Sequence, residues 1–435
     1  MDVFSALRAE IGSVTPVFSV GRISAIGRDT LSVSGLSTVA ALGDRVLVRG
    51  SGTVVGGEVL RIARDGITIL ADGAVDGLAM GDAVELLGRV DIAPDDPWLG
   101  RIIDPFGKPL DGRPLMRGPL PRMLRAAAPD AAKRGRLGAR LATGVAAFDT
   151  VLPLVQGQRI GLFAGSGVGK SSLLAKFARG VAADVVVIAL IGERGRELRD
   201  FTDHVLGPQG LARSVVVAAT SDQSPLIRRR CAWAAMAVAE HFRDQGLHVL
   251  FLADSVTRFA EAHREVALAA GETASLRGYP PSVAHMIMSL AERAGPGPEG
   301  VGAITAIFSV LVPGSDMEEP VADILRGTLD GHVVMDRKIA ERGRYPAIDL
   351  LRSVSRSLPG AATEEENALI TEARRLLGAY DRAELMIQAG LYSAGSDPLV
   401  DRAIKVWPAL DAFMAEDAHE GVEGSFRRLA KCLGG

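Results

Sequence analysis

The sequence predicts an α/β fold: a parallel sheet covered by helices, preceded by a small N-terminal β-barrel and followed by a helical C-terminal domain. Three changes of texture carry that expectation. Residues 17–90 are short apolar runs broken by glycine, aspartate and serine, the pattern of a small all-β unit. From about Gly138, apolar strands alternate with alanine-rich helical stretches, as in a sheet covered on both faces. Beyond Pro359 the chain reads as mostly helical. With 435 residues the chain exceeds one compact core, and 48% hydrophobic residues exclude a disordered chain. The expected units are an N-terminal helix or tail (1–16), a barrel (17–90), a connector (91–137), a sheet domain (138–358) and a helical domain (359–435).

At the start, Val3, Phe4, Leu7 and Ile11 fall on one helical face, so residues 2–12 form a short amphipathic helix, stopped by Pro16. Such a stub either caps the fold or docks a partner. It lacks the basic start and apolar core of a signal peptide. The longest apolar runs, such as Val185 to Ile191, are strand-sized, so a cytoplasmic location is expected. In the barrel the runs are Val17–Ile23, Thr30–Val33, Arg45–Val48, Glu58–Ile62 and Gly66–Leu70. The stretch from Asp91 to Pro129 is rich in proline and glycine and reads as a boundary. The C-terminal helices are expected over Glu364–Gly378, Arg382–Ala389 and Asp397–Ala415.

Composition also argues against several functions. A net charge of −3 gives no bulk attraction for nucleic acid, and residues 17–90 hold one aromatic, Phe18, on which a base could stack. Cys231 and Cys432 lie too far apart for a zinc motif and suggest two reduced thiols.

The most informative segment follows the apolar strand Arg159–Phe163. Ala164-Gly165-Ser166-Gly167-Val168-Gly169-Lys170-Ser171-Ser172 matches the relaxed phosphate-loop pattern, with Ala164 where the strict form has glycine. Its glycines let successive N–H groups turn towards phosphate oxygens, and the following helix adds its positive end. Lys170 is expected to bridge the β- and γ-phosphates, and Ser171 to ligate Mg²⁺.

Such a site needs a second carboxylate at the end of a neighbouring strand. His248–Ala253 is apolar after its first residue and ends in Asp254, which is either that metal-site carboxylate or a helix N-cap; the loop nearby favours the former. A third strand, Val185–Ile191, runs into Gly192-Glu193-Arg194-Gly195-Arg196-Glu197. Glu193 there can polarise an attacking water, or it can belong to a solvated charge cluster.

These motifs, with Asp330-Gly331-His332, Tyr345-Pro346-Ala347-Ile348-Asp349 and Ser353-Val354-Ser355-Arg356, resemble the rotary ATPase superfamily, which includes the ATP synthase α and β subunits. The resemblance covers nearly the whole chain and implies a RecA-like P-loop ATPase core. It implies that Glu193 is the catalytic carboxylate, with Arg194 beside it, and that Asp254 is the Walker B aspartate. Arg356 resembles the arginine finger offered to a neighbouring subunit, and Tyr345 the aromatic that packs on adenine, although a half-buried core tyrosine fits its sequence as well.

Glu193 and Arg356 occur on one chain, so one chain can build a complete ring. Phe163–Ser171, Ser221–Leu226 and Gly395–Pro398 are similar to the flagellar and type III protein-export ATPases, the flagellar form first. That branch implies a homohexamer with several partners: an export-apparatus regulator, a central-stalk protein, and export substrates or chaperones. It places the protein at the membrane export apparatus only through those partners. The alternatives are a catalytic subunit of a hetero-hexameric ion-translocating ATPase, an RNA translocase and a nucleotide-binding regulatory subunit.

Overall fold

The computed structural model describes residues 3–14, 17–312 and 317–434. Six antiparallel strands close the barrel: β1 (Ser19–Ile26), β2 (Thr30–Ser34), β3 (Arg45–Arg49), β4 (Val54–Ala63), β5 (Gly66–Ala71) and β6 (Ala83–Gly88), in the order β1-β2-β5-β4-β3-β6. Closure depends on β6, which was not among the runs singled out. It pairs with both β1 and β3 and so leaves the barrel no free edge. Leu31, Val33, Val46, Val48, Ile69 and Val84 fill the interior.

The main sheet consists of β7 (Arg101–Ile103), β8 (Arg159–Ala164), β9 (Val185–Glu193), β10 (Ser214–Thr220), β11 (His248–Asp254), β12 (Gly295–Pro296), β13 (Ala303–Leu311), β14 (Gly331–Met335) and β15 (Ile348–Ser355). Its order is β15-β14-β8-β13-β11-β9-β10-β7, with β12 paired to β13. Every pair is parallel except β14 with β15 and β12 with β13. The central strands are buried from end to end, as their continuous apolar runs require, and two hydrophobic clusters cover the two faces. The C-terminal ends of β8, β9 and β11 therefore open on one rim, where ligands bind in open α/β sheets.

Two expectations need correction. The connector is not a mere boundary, because β7 joins the sheet beside β10 and Trp98 is buried. Three residues show no periodicity, and what fixes them is tertiary. The Arg101 guanidinium is held by the Asp111 carboxylate, at 2.7 and 2.8 Å, and by the carbonyls of Arg113 and Pro114. The expected break near Gly378 is absent, since one helix runs from Glu364 to Gln388. Ala379 and Ala383 are buried on its inner face, so packing carries the helix across the glycine. A further helix, Gly421–Cys432, follows Pro398–Phe413 and packs through Phe426 and Leu429.

At the N-terminus the helix spans Val3–Ser13. Pro16 and the side chains of Val3 and Phe4 lie outside the described residues, whereas Leu7 and Ile11 are exposed. Among the described residues no helix is long and apolar enough to cross a membrane.

Candidate nucleotide site

β8 ends at Ala164, and the chain turns through Gly165–Gly169 into the helix Lys170–Gly180. Gly167 and Gly169 have φ of 77° and 86°, a region that disfavours any side chain. Val168 points into the core and anchors the loop. Ala164 is buried as well, so its methyl group faces the core, which explains why alanine is accepted where the strict pattern has glycine. Gly165, Ser166, Gly167, Gly169, Lys170, Ser171 and Ser172 line one side of an open cleft of about 580 Å³.

Across the cleft stand the ends of β9 and β11. Asp254 is buried, accepts a hydrogen bond from Ser309 Oγ at 2.8 Å and forms an ion pair with Lys170 Nζ. The N-cap alternative for Asp254 falls away. The helix Val256–Ala269 is capped by Ser255, whose Oγ accepts from Arg258 N at 3.5 Å.

Glu193 is half-buried, and among the described residues no arginine pairs with it. Arg194 pairs instead with Glu197 at 3.3 Å, out in solvent at the cleft wall. Burial, and then the Asp254 carboxylate, push the Glu193 carboxyl up to about 7; a hydrogen bond with Glu197 adds to the rise and Lys170 offsets part of it. Arg194 and Glu197 thus form the solvated pair, and Glu193 meets it only through the Glu197 hydrogen bond. A smaller cavity of about 140 Å³ is lined by Ser171, Glu193 and Asp254 together.

Tyr345 is 49% exposed and is no core residue. Its ring lies against the loop: a Cβ built on Gly169 would come 3.0 Å from Tyr345 Cδ1. Arg356 is not brought to this cleft. Its N–H donates to Asp330 O, and Asp330 N donates to Arg159 O, which places Arg356 level with the start of β8. The loop leaves the other end of β8, five residues on and two strands across. At about 3.3 Å per residue and 4.8 Å per strand this is roughly 20 Å.

Sequence reasoning missed three residues here. Arg228 and Arg258 flank Gly192 on the cleft wall, tied to Glu265 at 2.9 Å and Glu261 at 3.1 Å respectively. Arg258 had a readable signal, since it lies one helical turn after Asp254. Ser309, the partner of Asp254, had none.

Compared with known proteins, residues 144–355 match the ATP synthase alpha/beta family, nucleotide-binding domain, and residues 362–430 match the type III secretion EscN ATPase C-terminal domain. The flagellum-specific ATP synthase of Caulobacter vibrioides is 45% identical, over 98% of this chain and 99% of its own. The chain belongs to the family of flagellum-specific and type III secretion ATPases. The type 3 secretion system ATPase of Pseudomonas syringae pv. tomato is 41% identical over 95% of this chain and 93% of its own. Among solved structures, the assembled ATPase EscN of enteropathogenic E. coli superposes with a TM-score of 0.87 at 38% identity, covering 95% of this chain and all of that one. EscN has also been solved in complex with its central stalk, EscO, and that chain superposes with a TM-score of 0.85.

Proposed function

We propose that this chain hydrolyses ATP as a homohexameric ring that energises flagellar protein export. The observation that carries the reading is the convergence of the phosphate loop, Asp254 and Glu193 on one cleft, in a chain that aligns end to end with flagellum-specific relatives.

The residues present fit Mg²⁺. Ser171 and Asp254 offer a hydroxyl and a carboxylate, hard oxygen donors on one cavity, and Mg²⁺ takes few protein ligands when phosphates supply the rest. Bound there, it would supply positive charge to the phosphate oxygens. Lys170 leaves its partner Asp254 to bridge the β- and γ-phosphates, while the loop N–H groups hold the rest of the chain of phosphates. Glu193 orients the attacking water and accepts its proton, for which a carboxyl raised to about 7 is well matched. Arg194 and Arg258 stand on the same wall as further positive charge for the transferring phosphoryl group. Tyr345 stacks on the adenine beside Gly169, with half of its surface free for that contact.

Arg356 supplies the finger to the next subunit. Placed some 20 Å from its own loop, it completes a site only across an interface, and this is the physical reason for a ring. The helical C-terminal domain passes the resulting motion to a central stalk. An export-apparatus regulator and the exported substrates or chaperones are further partners, and they bring the chain to the membrane. The test is ATPase rate against protein concentration with mass by light scattering. Rate per subunit should climb as hexamers appear. A lone chain that forms active hexamers dismisses the hetero-hexameric alternative, whereas full activity in a monomer would remove the shared site.

A further inference from the structure

A second concentration of charge lies away from the nucleotide cleft, where the barrel meets the sheet domain. Arg45 and Glu58 come from the barrel, Arg89 and Arg125 from the segments that leave it, and Arg229 and Arg230 from the helix Pro225–Asp244. Of these, Arg89, Arg125, Arg230 and Glu58, with Asp44 and Trp233, line a cavity of about 210 Å³.

Arg45 is matched by Asp72, but the other guanidinium groups of the seam, Arg89, Arg125, Arg229 and Arg230, outnumber the carboxylates Asp44 and Glu58. Glu58 is claimed twice, by Arg229 at 2.6 Å and by Arg125 at 3.4 Å. Asp44 accepts from the backbone N–H of Ala41 at 2.8 Å. Arg230 is buried, yet it donates only to the carbonyls of Pro105 and Val90, with no carboxylate at ion-pair distance among the described residues. Arg89 donates to the thioether of Met123 at 3.5 Å, a poor acceptor for a guanidinium. Arg125 lies 4.4 Å over the Trp233 ring with over half of its side chain open to solvent. A buried guanidinium without a matched anion is costly, and burial pushes Arg230 down to about 10.

We propose that this cavity is a binding site for a small phosphate-class oxyanion, held by Arg89, Arg125 and Arg230. A tetrahedral dianion offers acceptors to three guanidinium forks at once, which a carboxylate does not. The volume lies below the roughly 300 Å³ at which drug-sized ligand sites begin, which suits a compact anion better than a nucleotide. The ligand is inorganic phosphate or a compact phosphomonoester. Its effect is to tie the barrel to the helix Pro225–Asp244 by replacing the acceptors that the seam lacks. The proposal is independent of the ATPase reading, because none of these side chains lines the nucleotide cleft.

The experiment titrates the full chain, saturated with Mg·ADP, with inorganic phosphate and in parallel with glycerol 3-phosphate. Potassium chloride at matched ionic strength is the control. Binding is read by calorimetry and by the fluorescence of Trp233, with Trp233→Phe to assign the signal. Saturable phosphate binding should persist with ADP bound, and Arg89→Gln and Arg125→Gln should each weaken it at least tenfold. Both arginines are exposed, so folding should survive, and ADP affinity should be unchanged. The tighter of the two probes identifies the source of the anion. The proposal is overturned by phosphate binding that vanishes once ADP fills the cleft, by variants that bind as the parent does, or by an equal response to chloride.

Discussion

Consider mixing two inactive variants, Glu193→Gln and Arg356→Ala. Arg356 lies level with the start of β8, with β14 between, and the phosphate loop leaves the other end of β8, so this arginine should not reach the phosphates of its own chain. Each variant alone should be nearly inactive; loss of a finger costs roughly a thousandfold or more. In rings assembled at random from equal amounts, an intact Glu193 faces an intact Arg356 at roughly one interface in four, given head-to-tail ring geometry. Independent sites would then return about a quarter of the parent rate, roughly one to three orders of magnitude above either variant. The assay is steady-state phosphate release at concentrations that favour rings, with native mass spectrometry to show that the rings are mixed. Trapping of ADP–fluoroaluminate on the same rings reads a single good interface without rotation. Mixed rings that show neither rescue nor trapping would refute the shared site and the distance argument behind it.

Lys170→Ala should lose nucleotide binding, read by titration with a fluorescent ADP analogue, because it removes the compact charge between the terminal phosphates. Glu193→Gln should bind ATP normally yet turn over roughly two to four orders of magnitude more slowly. In the parent, kcat/KM should fall about tenfold per pH unit below 7 as Glu193 is protonated, a limb absent from the Gln variant. The same raised carboxyl bears on stability. The folded state holds this proton more tightly than the unfolded chain, so its favourable contribution is present below about 4.5 and lost as pH rises towards 7. Glu193→Gln should therefore melt above the parent at pH 8 and converge with it near pH 5. Gly169→Ala should weaken nucleotide binding at least tenfold without unfolding the chain. Its φ of 86° costs an L-residue about 1–2 kcal/mol, and the new methyl group meets the Tyr345 ring at 3.0 Å.

Much of this was legible because the chemistry is local in sequence. The phosphate loop is one turn between a strand and a helix, and Asp254 and Glu193 each end an apolar run whose burial is written in its composition. The alternation of strands and helices gave the parallel sheet for the same reason. Other features depend on partners distant in the chain. Residues 101–103 carry no period and become a strand only because β10 offers an edge and Asp111 holds Arg101. The helix Glu364–Gln388 crosses Gly378 because the core takes up Ala379 and Ala383, outweighing a glycine's roughly 1 kcal/mol preference against helix. The N-cap reading of Asp254 fell when Ser255 proved to be the cap, and only packing half-buries Glu193 beside Asp254. Sequence alone marked the phosphate-loop motif and the two carboxylates that end apolar strands. The tertiary structure decided which of them share a cleft, because burial, a neighbour's charge and a position at the far end of a strand arise only when distant segments pack together.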